Sequence, residues 1–272
     1  MLEILGMPFM QRALVAGLLI GFLASYYGVF VVQRGLGFLG NGLAHAAFGG
    51  VALGLLLGGE PLWVAAPFTM VVAVLITWVR QKTALASDTV IGVFFAASMA
   101  LGIVFLALKK DYTIDAFSYL FGSILAVTTT DLKVAGAVVV LTLAVLPCWG
   151  RWAYATFDRD LALTDRVPVR FDEYLLAGLL AVTVVVAVKV VGIVLISAFL
   201  VVPAAAARLL VNRFTAMTQL SVIFGMASVF FGLWLSYWLD MPSGAVIVLL
   251  QTGVFLLSLG GGRLLAHYRQ RS

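Results

Sequence analysis

The sequence predicts an all-α protein, a polytopic bundle of helices that cross a membrane. Of its 272 residues, 63% are hydrophobic and only 11% are charged, and the mean hydropathy is +1.13. A soluble protein of this length carries roughly 25% charged residues. Apolar runs of about 20 residues, the length that crosses a bilayer, follow one another along the chain. No long linker interrupts them, so we expect a single transmembrane domain over residues 1–272.

Nine apolar runs reach or approach the spanning length. They lie near residues 9–32, 36–58, 62–79, 89–108, 132–150, 174–188, 190–211, 215–238 and 244–262. The sixth run, at 174–188, is short, so we predict about nine transmembrane helices with eight as the alternative.

The arginines and lysines predict the orientation in the membrane. With the N-terminus outside, 12 basic residues fall on the inner side and 5 on the outer side. Because inner loops carry an excess of Lys and Arg, we expect the N-terminus outside and the C-terminus in the cytoplasm. This distribution explains the net charge of +5 without a nucleic-acid partner. The inner set is Arg34, Arg80, Lys82, Arg151, Arg159, Arg166, Arg170, Arg208, Arg213, Arg263, Arg269 and Arg271.

The candidate functional residue of the apolar runs is His45, one of only two histidines in the chain. Asn41 precedes it by four residues, so on a helix the two side chains lie on one face about one turn apart. An ionisable side chain at membrane depth indicates a functional site. The alternative is a structural histidine that is hydrogen-bonded to a neighbouring carbonyl.

A stripe of small residues runs beside that pair. Gly42, Ala46, Gly50 and Gly54 recur every four residues, a pattern that lets another helix approach closely. We expect the stripe to pack against another helix of the bundle or of a second protomer.

A polar interlude near residues 151–173 is the one substantial break in the apolar pattern. It holds four basic and five acidic residues, and the sequence Val-Pro-Val at 167–169 stops any helix that begins at Asp158. A short helix there could dock on another protein, or the interlude could be a solvated loop between two spans.

Two further features restrict the function. Asp88 follows Ser87 at the start of the fourth run, where a carboxylate stabilises the free amides of a helix, although a place on a substrate pathway is the alternative. The sequence contains no GxxxxGK[ST] phosphate-binding loop, so the chain cannot bind a nucleotide in that manner.

Four motifs in order resemble the permease subunits of bacterial zinc and manganese ABC importers, closest to the zinc-uptake branch. Residues 39–46 are similar to the motif Gly-Asp-x-x-[Ser/Ala]-His, and residues 88–92 read Asp-Thr-Val-Ile-Gly, as at the start of the family's next span. Residues 119–128 resemble the stretch Tyr-Leu-Phe-Gly-x-[Leu/Ile]-Leu-[Ala/Ser]-Val. Residues 191–207 resemble the family's Val-Gly start and Pro-Ala-Ala-x-Ala signature.

This resemblance implies a multi-pass subunit of the bacterial cell membrane. It would act as a homodimer with two cytoplasmic ATPase subunits and an extracytoplasmic metal-binding protein. It implies no permanently bound cofactor, with Zn²⁺, or else Mn²⁺ or Fe²⁺, as the transported substrate. His45 and position 41 would line the metal path, although position 41 is Asn here where the family has Asp. The ATPase-coupling residues would be Asp158, Arg159, Asp160, Leu161, Leu163, Asp165, Val167 and Pro168.

Coordination chemistry favours the same dimer. One histidine cannot complete the roughly four-coordinate shell that zinc prefers, whereas a two-fold axis beside the stripe would bring two His45 and two Asn41 together. Nitrogen and amide-oxygen ligands favour zinc without excluding manganese or iron(II). The competing interpretations are a permease for a metal chelate of the siderophore or corrinoid type, a passive channel, and a membrane-embedded enzyme.

Overall fold

A computed structural model describes residues 7–109, 122, 124 and 127–269, the last eight by their backbone. Most of the predicted 119–128 motif therefore lies outside the described residues, as does Arg271. The described chain forms eleven α-helices and contains no β-strand. They are α1 (Pro8–Gln33), α2 (Leu39–Leu57), α3 (Pro61–Lys82), α4 (Ser87–Leu108), α5 (Thr129–Ala144), α6 (Trp149–Phe157), α7 (Arg159–Thr164), α8 (Val169–Val191), α9 (Ile193–Leu210), α10 (Phe214–Leu239) and α11 (Ser243–Arg269).

The helices form a polytopic membrane bundle, as the sequence predicts. Eight of them, α1 to α4 and α8 to α11, are individually long and apolar enough to cross a membrane. Helices α5 and α6, which meet at an angle of 46°, are together long and apolar enough to count as a ninth if the bent pair is one span. The 3₁₀ turn Leu146–Cys148 joins these two helices and contains Pro147, whose missing N–H explains the bend.

The predicted boundaries around the polar interlude were wrong. Helix α6 continues past 150 to Phe157, and α8 begins at Val169 instead of 174. The sixth span is therefore 23 residues long and is not short. Charged residues can lie in these helix ends because they are paired: Arg151 Nη2 lies 3.0 Å from Oδ1 of the buried Asp172.

Helices α1, α2 and α8 form the centre of the bundle. In each of them, 72% of the most apolar stretch is buried inside the protein. Small residues allow the backbones to approach. Gly28 of α1 lies against the Leu200 carbonyl of α9, and Gly225 of α10 lies against Ser25 of α1. Close packing of this kind replaces the hydrophobic drive that is absent between helices in lipid. Helix α2 packs chiefly against α3 and α4, and this arrangement positions the predicted site.

One end of the bundle, here called the α7 end, brings several helix termini together. Arg34, just after α1, donates from Nε to Thr156 Oγ1 of α6 at 2.9 Å. Gln81 of α3 donates to Glu173 of α8 at 2.6 Å. At the opposite end, Lys189 of α8 pairs with Asp131 of α5 at 2.8 Å. The predicted orientation places the α7 end in the cytoplasm.

Candidate functional site

Asn41 and His45 lie in the first two turns of α2, which begins at Leu39. Both side chains are half-buried. The ring nitrogen Nδ1 of His45 lies 3.0 Å from the backbone oxygen of Asn41. A carbonyl oxygen can only accept, so Nδ1 carries the proton in this contact and Nε2 keeps its lone pair. Nε2 has no hydrogen-bond partner among the described residues.

This hydrogen bond is the arrangement expected of a metal-binding histidine as much as of a structural one. Ligating histidines typically donate their second ring N–H to a carbonyl or a carboxylate, which fixes the tautomer and the ring orientation. A purely structural histidine would use the same contact but would not require an accessible Nε2. The geometry therefore provides one oriented nitrogen ligand.

Two aromatic side chains border His45. The Phe95 ring of α4 lies 4.4 Å from the imidazole, centroid to centroid and tilted by 56°. Phe38, immediately before α2, contacts Phe95 at 5.9 Å and is 38% exposed. Sequence reasoning missed Phe95. No local pattern indicated it, because Phe95 meets His45 from a different helix.

The described residues of a single chain do not complete a metal site here. The described residues contain no group of three or more His, Cys, Asp or Glu side chains that could hold a metal ion. The Asn41 side-chain amide makes no hydrogen bond to another described residue, so its oxygen is available as a second ligand. Two donors are fewer than the four that a divalent transition metal usually takes.

The small-residue stripe of α2 packs inside the same chain. A Cβ at Gly42 would lie 2.6 Å from Ile91 Cγ2 of α4. At Gly50 it would lie 2.6 Å from the Ala65 Cα of α3, and at Gly54 2.7 Å from the Pro61 Cα. Ala46, between them, is fully buried. The stripe thus holds α2 against α3 and α4, while Asn41 and His45 lie on a less covered face.

Asp88 lies in the first turn of α4 and is exposed. Its negative charge is favourable at the positive end of the helix dipole, but α4 has no side-chain hydrogen bond that caps its first turn. Its neighbour Ser87 accepts a hydrogen bond from Arg80 Nε at 3.0 Å. The structure does not bring the Asp88 carboxylate into a metal-binding group.

The predicted coupling residues lie on and around α7. Asp158 caps this helix, because its Oδ1 accepts from the Leu161 amide at 2.9 Å. Ala162 is fully buried, whereas Leu161 and Leu163 are 49% and 41% exposed. The helix ends before Arg166, which has a φ of 61°. The remaining residues of the predicted set (Arg159, Asp160, Asp165, Val167 and Pro168) lie within α7 or in the turn that follows it.

Two contacts fix α7 to the bundle. Arg159 Nε lies 3.0 Å from Glu173 Oε1 of α8. Tyr154 of α6 donates to Asp165 Oδ2 at 2.6 Å. Glu173 and Gln81 were not identified from the sequence as part of this arrangement, since the pairing links residues 92 positions apart. The result is a short, anchored helix that presents apolar side chains away from the core.

Comparisons with known proteins agree with this architecture. The family described as "ABC 3 transport family" matches residues 6–261. The manganese transport system membrane protein MntC of Listeria innocua is 34% identical over 251 residues, covering 92% of this chain and 89% of that protein. The high-affinity zinc uptake system membrane protein ZnuB of Haemophilus influenzae is 32% identical over 248 residues, covering 91% and 95%. A solved structure of PsaBC from Streptococcus pneumoniae in complex with Fab superposes with a TM-score of 0.83 at 34% identity, covering 94% of this chain and 93% of that one.

Proposed function

Because the chain belongs to the ABC 3 transport family, we propose that it is the membrane permease subunit of an ATP-driven importer for divalent transition metals, with zinc as the first candidate. The observation that supports it is His45, whose ring is oriented by the hydrogen bond of Nδ1 to the Asn41 backbone and which lies one turn from the Asn41 side chain on α2. The relatives named for manganese and for zinc support this substrate class.

The ligands favour zinc over manganese. Imidazole nitrogen suits zinc, whereas manganese prefers carboxylate and other hard oxygen ligands. Asn41 stands where the resemblance leads us to expect Asp, so each protomer offers a neutral amide oxygen in place of a carboxylate. The loss of that negative charge weakens the hold on any dication and disfavours manganese more than zinc.

A homodimer would complete the coordination shell. Two copies that met at the face of Asn41 and His45 would offer two nitrogens and two oxygens, the number that zinc requires. Four neutral ligands bind a dication weakly enough to release it, as transport demands. The same dimer would bind two cytoplasmic ATPase subunits through α7 and receive its metal from an extracytoplasmic binding protein.

The decisive test is metal uptake into vesicles that contain the permease, its ATPase and its binding protein. His45→Ala should abolish zinc uptake while the complex still assembles and hydrolyses ATP, because alanine suits this helix of small residues. A structural histidine predicts loss of assembly instead. Asp88→Asn is the matched polar control and should retain uptake if Asp88 only stabilises the start of α4.

Asn41→Asp tests the geometry of the pair. Restoring two carboxylates near the axis should tighten divalent binding and increase the preference for manganese. Unchanged affinity, rate and metal preference would show that position 41 does not face the metal. Uptake that required a chelate and was indifferent to His45→Ala would favour the chelate permease instead.

A further inference from the structure

A cavity of about 240 Å³ lies at the α7 end, between α1, α3, α6, α7 and α8. Its charged lining consists of Arg34, Arg80, Arg159 and Glu173. Three guanidiniums and one carboxylate give this lining a net charge of +2. The remaining wall is mostly apolar and includes Phe30 and Leu180. The metal-transport proposal does not use this cavity, and a dication would be repelled from it.

The single carboxylate of the cavity is already engaged. Glu173 accepts from Arg159 Nε through Oε1 at 3.0 Å and from Gln81 Nε2 through Oε2 at 2.6 Å. Both of its oxygens therefore have partners, and its charge is directed mainly at Arg159. The charge of Glu173 also acts on Arg34 and Arg80, but neither of them forms an ion pair with a carboxylate among the described residues.

Arg34 and Arg80 have neutral hydrogen-bond partners. Arg34 donates to Thr156 Oγ1 at 2.9 Å and to the Trp152 carbonyl at 3.4 Å. Arg80 donates from Nε to Ser87 Oγ, and its two Nη groups have no hydrogen-bond partner among the described residues. Burial lowers the pKa of Arg34; the carboxylates of Glu173 and Asp172 oppose this effect, and the charges of Arg80 and Arg159 strengthen it. Two guanidiniums thus lie in a partly desolvated cavity without an anion of their own.

We propose that this cavity binds a phosphate group, carried by the headgroup of an anionic phospholipid or free as inorganic phosphate. Arginine forks match the oxygens of a phosphate with paired hydrogen bonds. A phospholipid phosphodiester would offset half of the excess charge, and inorganic phosphate would offset most of it. A water occupies about 30 Å³, so the volume accommodates a compact oxyanion together with several waters. Its position among helix termini is the level of lipid headgroups, and basic pockets between transmembrane helices bind such headgroups.

Binding here would tie three parts of the protein together. Arg34 follows α1, Arg80 ends α3, and Arg159 begins α7. A phosphate that bridged these arginines would hold α7 against the bundle. The anion is therefore a stabiliser of the surface on which α7 presents Leu161 and Leu163, whatever metal the protein transports.

The test measures the unfolding temperature of the purified full-length chain in a neutral detergent. Three additions are compared at matched ionic strength: short-chain phosphatidylglycerol, phosphatidylcholine of the same chain length, and inorganic phosphate. Arg80→Gln removes the least satisfied guanidinium. Lys82→Gln is the matched control, because Lys82 is exposed, lies two residues further along α3, and does not line the cavity.

We expect phosphatidylglycerol to raise the unfolding temperature of the native chain and of Lys82→Gln, whereas phosphatidylcholine has no effect. Arg80→Gln should weaken this binding about tenfold or more. Without ligand it should unfold no earlier than the native chain, since it removes one of three repelling charges. Arg80→Lys keeps the charge but loses the forked pair of donors, so its affinity for phosphatidylglycerol should lie between those of the native chain and Arg80→Gln.

The arms distinguish the sources of the phosphate. Protection by inorganic phosphate as well as by phosphatidylglycerol identifies a site for the free anion, and protection by the lipid alone identifies a headgroup site. The proposal is overturned if the anions raise the unfolding temperature of Arg80→Gln as much as that of the native chain. It is also overturned if neither phosphatidylglycerol nor inorganic phosphate raises the unfolding temperature of the native chain. A third result would also overturn it: Arg80→Gln no longer copurifies with the ATPase, and neither anion changes the unfolding temperature. The cavity would then bind a carboxylate of the partner protein.

Discussion

The sharpest test of the packing is the substitution Gly50→Ala in the stripe of α2. A Cβ at Gly50 would lie 2.6 Å from the Ala65 Cα, 3.1 Å from Phe68 Cβ and 3.2 Å from Ala65 Cβ. The nearest of these atoms belongs to the backbone of α3, so a rotamer change cannot relieve the clash. Helix α3 would have to move away from α2.

The magnitude follows from two opposing terms. Replacing Gly by Ala within a helix stabilises it by about 1 kcal/mol. Overpacking a close contact costs about 1–3 kcal/mol. Gly136→Ala in α5 is the matched control, because a Cβ there meets no heavy atom within 4 Å. The helix term cancels between the two variants, so Gly50→Ala should be less stable than Gly136→Ala by about 1–3 kcal/mol.

Thermal unfolding in detergent measures this difference. For a chain of this size, each kcal/mol shifts the midpoint by roughly 2–4 °C, so the variants should differ by several degrees. Gly50→Leu, with three more carbons, should unfold still earlier or fail to accumulate. Equal midpoints for Gly50→Ala and Gly136→Ala would refute the inference that α2 and α3 are in backbone contact at this point.

Three further predictions concern α7 and the turn between α8 and α9. Leu161→Asp combined with Leu163→Asp should abolish copurification of the ATPase and metal uptake while leaving the unfolding temperature unchanged, because both side chains are exposed; normal uptake would make α7 a mere linker. Asp158→Ala should cost about 1 kcal/mol of α7 stability and speed hydrogen exchange of the Leu161 amide, so unchanged exchange would argue against the cap. Gly192→Ala should lower the unfolding midpoint, because Gly192 has a φ of 90°, in a region that L side chains rarely adopt; a midpoint at or above that of the native chain would contradict this.

Most of the fold was predictable because a membrane-spanning helix can be recognised from its own residues alone. Lipid contact requires about 20 consecutive apolar residues, and that requirement can be read without knowledge of neighbours. The helix boundaries predicted from the sequence were wrong where charged residues lie inside a helix. Asp172 and Glu173 were assigned to the polar interlude, yet both belong to α8, since Arg151 and Arg159 pair with them across the fold.

In the candidate site, too, some features were predictable from the sequence and others were not. Helical periodicity alone placed Asn41 and His45 on one face of α2, and composition alone made a histidine in that run conspicuous. The protonated nitrogen of the imidazole could not be inferred, because it depends on a contact to the Asn41 carbonyl. Nor could Phe95, which reaches His45 from a different helix.

The sequence by itself therefore determined the membrane class, a count of eight or nine apolar spans and the identity of the candidate ligands, all of which follow from local hydropathy and periodicity. The tertiary structure decided which partners these residues meet. It placed the small-residue stripe against α3 and α4 and turned Asn41 and His45 to a less covered face. It also gathered Arg34, Arg80 and Arg159 from three distant segments around one cavity. These contacts depend on how the helices cross in space. The interaction energies between residues far apart in the chain cannot be inferred from any local stretch of the sequence.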